Sequence, residues 1–515
     1  MNTRQKFFRN GILLCAVGLA SRTVAIFMGA FISRTLGASG MGLNSLIMHV
    51  YAFALTFATA GVQLTVTALV AGALGEKKRN RTGKILKGAF LYALIFSVAA
   101  TLVLLLLSEI ISQRVVGDGR VTVAINILAF SLIPSAISAV ISGYFVGMRR
   151  VSLNAAVGVC GQGIRVILTV LLLMRYRAEG TYSAIIALAL GVTLTEVCVF
   201  ALSLLEFIID RFCGRFEKEG GIGIKDVSLI ALPLAFSAYV RSALLTLEHS
   251  LIPKRLRLYG QDEVESLASY GYIGGMALPL LLYPMVPLSA FSSLLVPEFA
   301  EAMAGGQKIK MASIAKRAFD MTLGYAVTAS IFFLAFSEEL GYAVYNSYSA
   351  GHYIAMLAPV VPIMYLDHVA DNMLKGIGEQ VYSMWVNIID AFLSVCLVFV
   401  LIPIFGIGGY AFVIIGMEAF NFIFSVLRLR KRITFKINLY RSAVLPALSM
   451  IISAYTVKAL FRIRGSAVDL PLLILECIFA MCAYFAVMLA LTGLNNLIYK
   501  RASKTTISPK PSKRA

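Results

Sequence analysis

A chain of 515 residues in which 59% are hydrophobic and only 14% charged lies far from soluble proteins, which run near half apolar and a quarter charged. That balance excludes an ordinary water-soluble globule. A formal net charge of +20 would suit nucleic acid, but the basic residues sit in short clusters at the ends of apolar runs, which is a signal of membrane topology and implies no nucleic-acid partner.

Apolar runs of roughly 20 residues or more, the length that crosses a hydrocarbon core about 30 Å thick, recur from one end of the chain to the other. In lipid only helices and closed barrels satisfy every backbone N–H and C=O. These runs are continuous rather than alternating, so the predicted class is an all-α polytopic membrane protein of about fourteen helices. The opening residues Met1 to Asn10 are basic and the run after them apolar, as in a signal peptide. That run extends past Ala30 and contains Arg22, so it is predicted to be a retained first helix.

The first seven spans are predicted at 8–35, 42–74, 85–108, 121–148, 151–174, 182–208 and 228–252. The second seven are predicted at 269–297, 317–340, 352–377, 381–403, 407–427, 440–461 and 468–492. Between them lie the basic groups Lys77, Lys78, Arg79, Arg81 and Lys84, then Arg149 and Arg150, then Arg211, Arg215, Lys218 and Lys225. Lys308, Lys310, Lys316 and Arg317 follow, then Arg428, Arg430, Lys431, Arg432 and Lys436, and the tail from Lys500 to Arg514. All of these fall on one side, about 30 basic residues against about 9 opposite, so the positive-inside rule predicts that both termini are cytoplasmic.

An internal repeat is suggested by Arg34-Thr35-Leu36-Gly37 against Arg257-Leu258-Tyr259-Gly260, and by Leu86-Lys87-Gly88-Ala89-Phe90 against Ala315-Lys316-Arg317-Ala318-Phe319. An offset of six helices gives two halves of one orientation with a path between them. The expected organisation is an N-lobe at 1–210, a C-lobe at 211–437, two more helices at 438–495, and a disordered basic tail at 496–515.

Ionisable groups within a span are costly and by default face protein or a water-filled cavity. On the first helix Gly11, Cys15, Gly18, Arg22, Ala25, Gly29 and Ser33 form one small-and-polar stripe. The second repeats it with Ser45, His49, Ala52, Thr56, Thr59 and Gln63, and the fifth with Asn154, Gly158, Gln162, Arg165 and Thr169. On the seventh, Ser237, Arg241 and Glu248 share a face. Guanidinium forks at that depth suit phosphate or carboxylate, so Arg22, His49, Arg165 and Arg241 are the candidate substrate-binding residues, for an anionic substrate. The plainer reading pairs each arginine with an intramembrane acid such as Glu196, Asp390 or Glu418.

Glu248, Asp367 and Asp371 are candidates for coupling to Na+ or H+, with Asp371 and Lys375 equally suited to a salt bridge at i, i+4. Pro279, Pro284, Pro287 and Pro297 stud the eighth helix, and Pro233, Pro359 and Pro362 interrupt the seventh and tenth; each invites a bend. Six of the seven cysteines lie in apolar segments (Cys15, Cys160, Cys198, Cys396, Cys477, Cys482) without CxxC or His neighbours, which implies neither a disulfide framework nor a zinc site. No Walker loop, GxSxG or HExxH is present. The expectation is therefore a non-enzyme that needs no cofactor.

The sequence resembles the flippases of the multidrug/oligosaccharidyl-lipid/polysaccharide (MOP) superfamily, most closely the stage V sporulation protein B branch. The matching words are Ser33 to Leu43 (SRTLGASGMGL), Ile252 to Leu256 (IPKRL), Tyr270 to Leu280 (YGYIGGMALPL) and Leu295 to Ala302 (LVPEFAEA). Leu374 to Gly378 (LKGIG) and Ile402 to Gly409 (IPIFGIGG) also fit. The resemblance implies two six-helix lobes around a central cavity plus two C-terminal helices, in a bacterial cytoplasmic membrane, with alternating access and no ATP. It implies as substrate a lipid-linked oligosaccharide or peptidoglycan precursor of the undecaprenyl-pyrophosphate type, with membrane lipids as the surrounding partners. The pyrophosphate would fall to Arg22, Arg165 and Arg241, most firmly to Arg165 within Gly161-Gln162-Gly163-Ile164-Arg165-Val166. The chain departs from the pattern a few residues before Arg165, where a glutamate is expected and a glycine stands, at Glu248, where an aspartate is expected, and at Asp367-His368, where an amide is expected. A cation-coupled drug exporter of the same superfamily and a non-transporting scaffold for cell-wall or spore-cortex assembly are the two rival readings.

Overall fold

The computed structural model describes residues 3–59, 61–75, 82–213, 224–462 and 470–505. Basic positions at 77–81, 215–218 and 506–515 lie outside the described residues. The helices run α1 (Thr3–Thr59), α2 (Val62–Gly75), α3 (Thr82–Ile110), α4 (Thr122–Ala129), α5 (Leu132–Gly147), α6 (Val151–Tyr176), α7 (Thr181–Cys213), α8 (Ile224–Tyr259) and α9 (Glu263–Tyr270). After them come α10 (Leu278–Leu281), α11 (Met285–Ala304), α12 (Lys308–Ala335), α13 (Ser337–Tyr345), α14 (Tyr348–Leu357), α15 (Val361–Gly376), α16 (Gln380–Arg432), α17 (Leu445–Arg462) and α18 (Leu470–Thr505). No strand occurs among the described residues, as the continuous apolar runs require.

Ten of these helical stretches are long and apolar enough to cross a membrane, or eleven if the bent pair Glu263–Leu281 and Met285–Ala304 counts as one span. The expected fourteen crossings outnumber these stretches. The physical reason lies partly in α1 and α16, of 57 and 53 residues, each about twice one crossing. Each is two helices that meet at a kinked glycine, Gly37 (φ 69, ψ −179) or Gly406 (φ 59, ψ −142), in a conformation essentially reserved for glycine. Gly37 closes the word RTLG, and Gly260, which closes RLYG, is also left-handed (φ 115). A second departure is at the C-terminus, where α18 continues to Thr505. Residues 496–505 are therefore helical rather than the start of a disordered tail.

By contact the chain forms two compact units, one of Ala16–Met276 with Met384–Met417, the other of Met1–Cys15, Ala277–Ser383 and Glu418–Ala515. The lobes expected at 1–210 and 211–437 divide the chain differently, by repeat rather than by contact.

In the first unit Val62, Val66 and Val70 of α2 pack against Ala136, Val140 and Tyr144 of α5 and Ile85, Ala89 and Tyr92 of α3, all buried. Lipid tails are as apolar as valine, so little transfer energy drives this contact, and close approach with dispersion holds it. The approach is set by glycines: a Cβ on Gly143 would stand 2.6 Å from the Gln63 carbonyl oxygen, and one on Gly147 3.0 Å from that of Thr67.

Helix breaks in oil must find donors for the carbonyls they free. At the break between α14 and α15, Pro362 offers no N–H to Ala358, whose carbonyl accepts instead from the Val361 N–H and, at 2.8 Å, from Ser330 Oγ of α12. Between α4 and α5, Thr101 Oγ1 of α3 donates to the Ala129 carbonyl at 3.2 Å. The two bonds are displaced by 229 residues at both ends, Thr101 to Ser330 and Ala129 to Ala358. Lys87 and Lys316 of the echoing words stand at the same interval. Below α10, where the chain bends at 282–284, Tyr365 and Tyr325 donate their hydroxyls to the carbonyls of Leu281 and Pro284, each at 2.7 Å. The prolines of the eighth predicted span thus mark a real bend.

Candidate functional site

All four candidate substrate-binding residues, Arg22, His49, Arg165 and Arg241, belong to the first unit. Arg165 stands on α6 and Glu196 on α7, and the Arg165 Nη2 to Glu196 Oε1 distance is 2.9 Å. Ser135 Oγ of α5 donates to the other carboxylate oxygen at 2.8 Å. Next to them Ser131 Oγ donates to the Tyr51 hydroxyl at 2.8 Å. Four helices thus converge on one polar network inside apolar spans, and Glu196 is the acid that the plainer reading named.

The pair leaves Arg165 accessible. Its side chain is 45% exposed against 19% for Glu196, so part of the fork remains open to a ligand while the carboxylate offsets the cost of charge at that depth. Arg241 on α8 is exposed and Arg22 on α1 is half-buried.

His49 sits against a second histidine. Its ring stacks on that of His249, with centroids 3.6 Å apart and planes 17° from parallel. The Tyr270 hydroxyl lies 3.1 Å from His249 Nδ1, and Thr246 Oγ1 donates to the His49 carbonyl at 3.2 Å. This is a helix-packing arrangement joining α1, α8 and α9. Sequence reasoning missed His249; the signal available was that few histidines occur at all, only 4, and one sits within a span beside Glu248.

The three acids proposed for ion coupling do not share a unit: Glu248 belongs to the first, Asp367 and Asp371 to the second. Glu248 is 7% exposed. It accepts a hydrogen bond from Ser394 and lies within electrostatic reach of Asp390, both on α16. Asp390 was expected only as a partner for an arginine, and Ser394 was not expected at all. Asp371 makes the i, i+4 salt bridge, with Lys375 Nζ 2.7 Å from Oδ2, and also accepts from Ser383.

The basic cluster at the end of α16 is partly spent on structure. Arg428 Nη2 and Arg432 Nη2 each lie 2.8 Å from the Glu379 carboxylate, and the Arg428 guanidinium rests over the Tyr382 ring. Hydrogen bonds from Arg428, then Arg432, hold the Glu379 carboxyl below the usual carboxylate range. A depressed acid contributes stability that is complete above its unfolded value, about 4.3, and lost as pH falls through the folded value. Glu379→Gln should therefore lower the thermal stability of purified protein at pH 7, with the gap to wild type closing below about pH 4. A gap that persists at acid pH would refute this.

A polytopic bundle of apolar helices, broken at glycine and proline and carrying guanidinium and carboxylate groups within its spans, is the architecture of a membrane transporter or flippase. The chain belongs to the polysaccharide biosynthesis protein family, whose model matches residues 7–303, and with it to the MOP superfamily; the MatE model matches residues 253–400.

Among curated proteins it is 23% identical to stage V sporulation protein B of Bacillus subtilis (strain 168) over 427 residues, 80% of this chain and 81% of that one. Among solved structures it resembles the lipid II flippase MurJ in an inward closed conformation, with a TM-score of 0.70, 12% identity, and coverage of 95% of this chain and 100% of that one. It also resembles an inward-facing multidrug resistance MATE family transporter of the MOP superfamily, with a TM-score of 0.68, 16% identity, and coverage of 81% and 98%. At these identities the structural likenesses establish the fold.

Proposed function

We propose that this protein is a flippase that carries a lipid-linked oligosaccharide or peptidoglycan precursor across the bacterial cytoplasmic membrane, with both termini in the cytoplasm. The observation that carries the proposal is Arg165, a guanidinium set among apolar helices with its counter-ion attached and nearly half its side chain accessible. A fixed fork of five donors suits a pyrophosphate and suits no neutral ligand of equal size. Arg22 and Arg241 of the same unit are assigned to the same anion. The likeness to stage V sporulation protein B and to a lipid II flippase supports a substrate that pairs a long apolar tail with a charged sugar head.

Transport then proceeds by alternating access. Glu248, with Ser394 and Asp390 beside it, is assigned to coupling with Na+ or H+. Purified protein in liposomes should expose a fluorescent lipid-linked sugar to an added lectin or glycosidase within minutes. Protein-free liposomes should not, and equal rates in the two would end the proposal. The MatE match over residues 253–400 favours a second reading, export of organic cations. Protection of an exporter-deficient host against cationic drugs, without lipid flipping, would select it.

A further inference from the structure

A single hydrogen bond joins Arg165 to Glu196. Nη2 of the fork reaches Oε1 at 2.9 Å, while Oε2 is turned to Ser135 Oγ at 2.8 Å. Among the described residues the fork hydrogen-bonds no acceptor but Glu196. A pair that served packing alone would gain most from two parallel bonds. Here the carboxylate is divided between a cation and a hydroxyl.

That hydroxyl has a choice of acceptors, because Ser135 Oγ also lies 2.8 Å from the Ser131 carbonyl oxygen. A hydroxyl has one proton to donate, so the charge of Glu196 decides where it goes. An ionised Glu196 can only accept, and Ser135 donates to it. A protonated Glu196 donates its own O–H to Ser135 Oγ, and Ser135 turns its proton to the Ser131 carbonyl. That carbonyl is not orphaned in the first state, since the Ser135 N–H bonds it at 3.1 Å. Oε2, Ser135 and Ser131 are therefore satisfied in both states.

Among the described residues the surroundings supply Glu196 with no replacement cation. α4 carries no ionisable side chain, the Tyr144 hydroxyl of α5 is bonded to Asp210, and Cys160 of α6 is exposed. Arg175 and Arg120, on elements that also border α7, pair with Glu179 and Asp118. Tyr51 of α1 is within electrostatic reach of both Glu196 and Arg165 and has no cationic state. When Arg165 turns to a second anion, Glu196 is left as a carboxylate 19% exposed within the apolar span Thr181–Asp210. A bare charge there is costly, and a proton removes it.

We propose that Glu196 is a proton site coupled to the substrate: it takes a proton from water as a pyrophosphate draws Arg165 away, and returns it to water when the pyrophosphate leaves. One O–H bond forms at Oε2 on loading and breaks on release. The ion pair thus belongs to the empty protein and the neutral acid to the loaded one. The inference rests on the assignment of Arg165 to the pyrophosphate and is separate from that of Glu248.

The test uses full-length protein in detergent and a short-chain prenyl-pyrophosphoryl N-acetylglucosamine, whose two phosphates are both esterified and do not titrate near neutrality. Wild type should bind it more tightly as pH falls from about 8 to about 6, by up to about tenfold per unit. Mixing in weak buffer with a pH indicator should show uptake of about one proton per site. Glu196→Gln should bind with an affinity flat over the same range and take up no proton, whereas Glu248→Gln should keep the uptake. Binding without uptake in wild type, uptake that survives in Glu196→Gln, or uptake lost in Glu248→Gln would each overturn the proton site and leave the pyrophosphate assignment standing. The wild-type and Glu248→Gln readings decide the matter even if Glu196→Gln does not fold. Absence of binding by wild type at every pH would instead remove the pyrophosphate assignment, and the proton site with it.

Discussion

Arg165→Glu should abolish movement of a labelled lipid-linked sugar in liposomes, and the double variant Arg165→Glu with Glu196→Arg should not recover it. The single change places two carboxylates where an ion pair stood 2.9 Å apart, so it loses both the cation and the counter-ion contact. Breaking a buried pair costs about 3–5 kcal/mol, less here because Arg165 is nearly half exposed and solvent screens it. The exchanged pair restores the attraction, and the melting temperature should return toward wild type. Transport should stay at background, because the exchange moves the fork from α6 to α7 and sets a carboxylate where the pyrophosphate is to bind. If the exchanged pair transports, Arg165 serves packing alone and the substrate assignment falls.

Replacing Gly271 or Gly42 with alanine should leave little folded protein. A Cβ on Gly271 would stand 2.1 Å from the Ala38 carbonyl oxygen and 2.7 Å from the Gly42 nitrogen. One on Gly42 would stand 2.0 Å from the Leu267 carbonyl oxygen. In both cases the obstacle is backbone, which cannot rotate aside as a side chain would. Overpacking ordinarily costs about 1–3 kcal/mol, and a clash with main chain on both sides belongs at or above the top of that range. Gly29, whose Cβ would meet nothing within 4 Å, is the control. Gly29→Ala should express and melt like wild type in fluorescence-detected size exclusion, and equal yields of all three variants would show that these contacts are looser than drawn.

These glycines explain two words by which the sequence resembles its superfamily. SGMG at Ser39 to Gly42 and YGYIGG at Tyr270 to Gly275 are the two sides of one main-chain contact between the second leg of α1 and the end of α9. What the sequence made legible follows a simple rule. Apolar length marks a helix because lipid admits little else, and the Asp371–Lys375 bridge was readable because i, i+4 neighbours are fixed by the helix itself.

Partners chosen by packing were not legible in that way. His249 stacks on a ring 200 residues distant in sequence, and Ser394 reaches Glu248 from another helix. Nothing local at either residue announces the other. The breaks within α1 and α16, by contrast, were legible: the predicted spans end at 35 and 403, and the helices kink at Gly37 and Gly406.

The hydroxyl bonds from Thr101 and Ser330 have a mechanical consequence. An uncapped peptide oxygen facing hydrocarbon costs several kcal/mol, so an ordinary transmembrane rod resists being folded. A donor borrowed from the adjacent rod removes that resistance at the Ala129 joint, and adds to the Val361 N–H at the Ala358 joint. It also ties each joint to its neighbour, so that flexing either one must carry the donor's helix along with it.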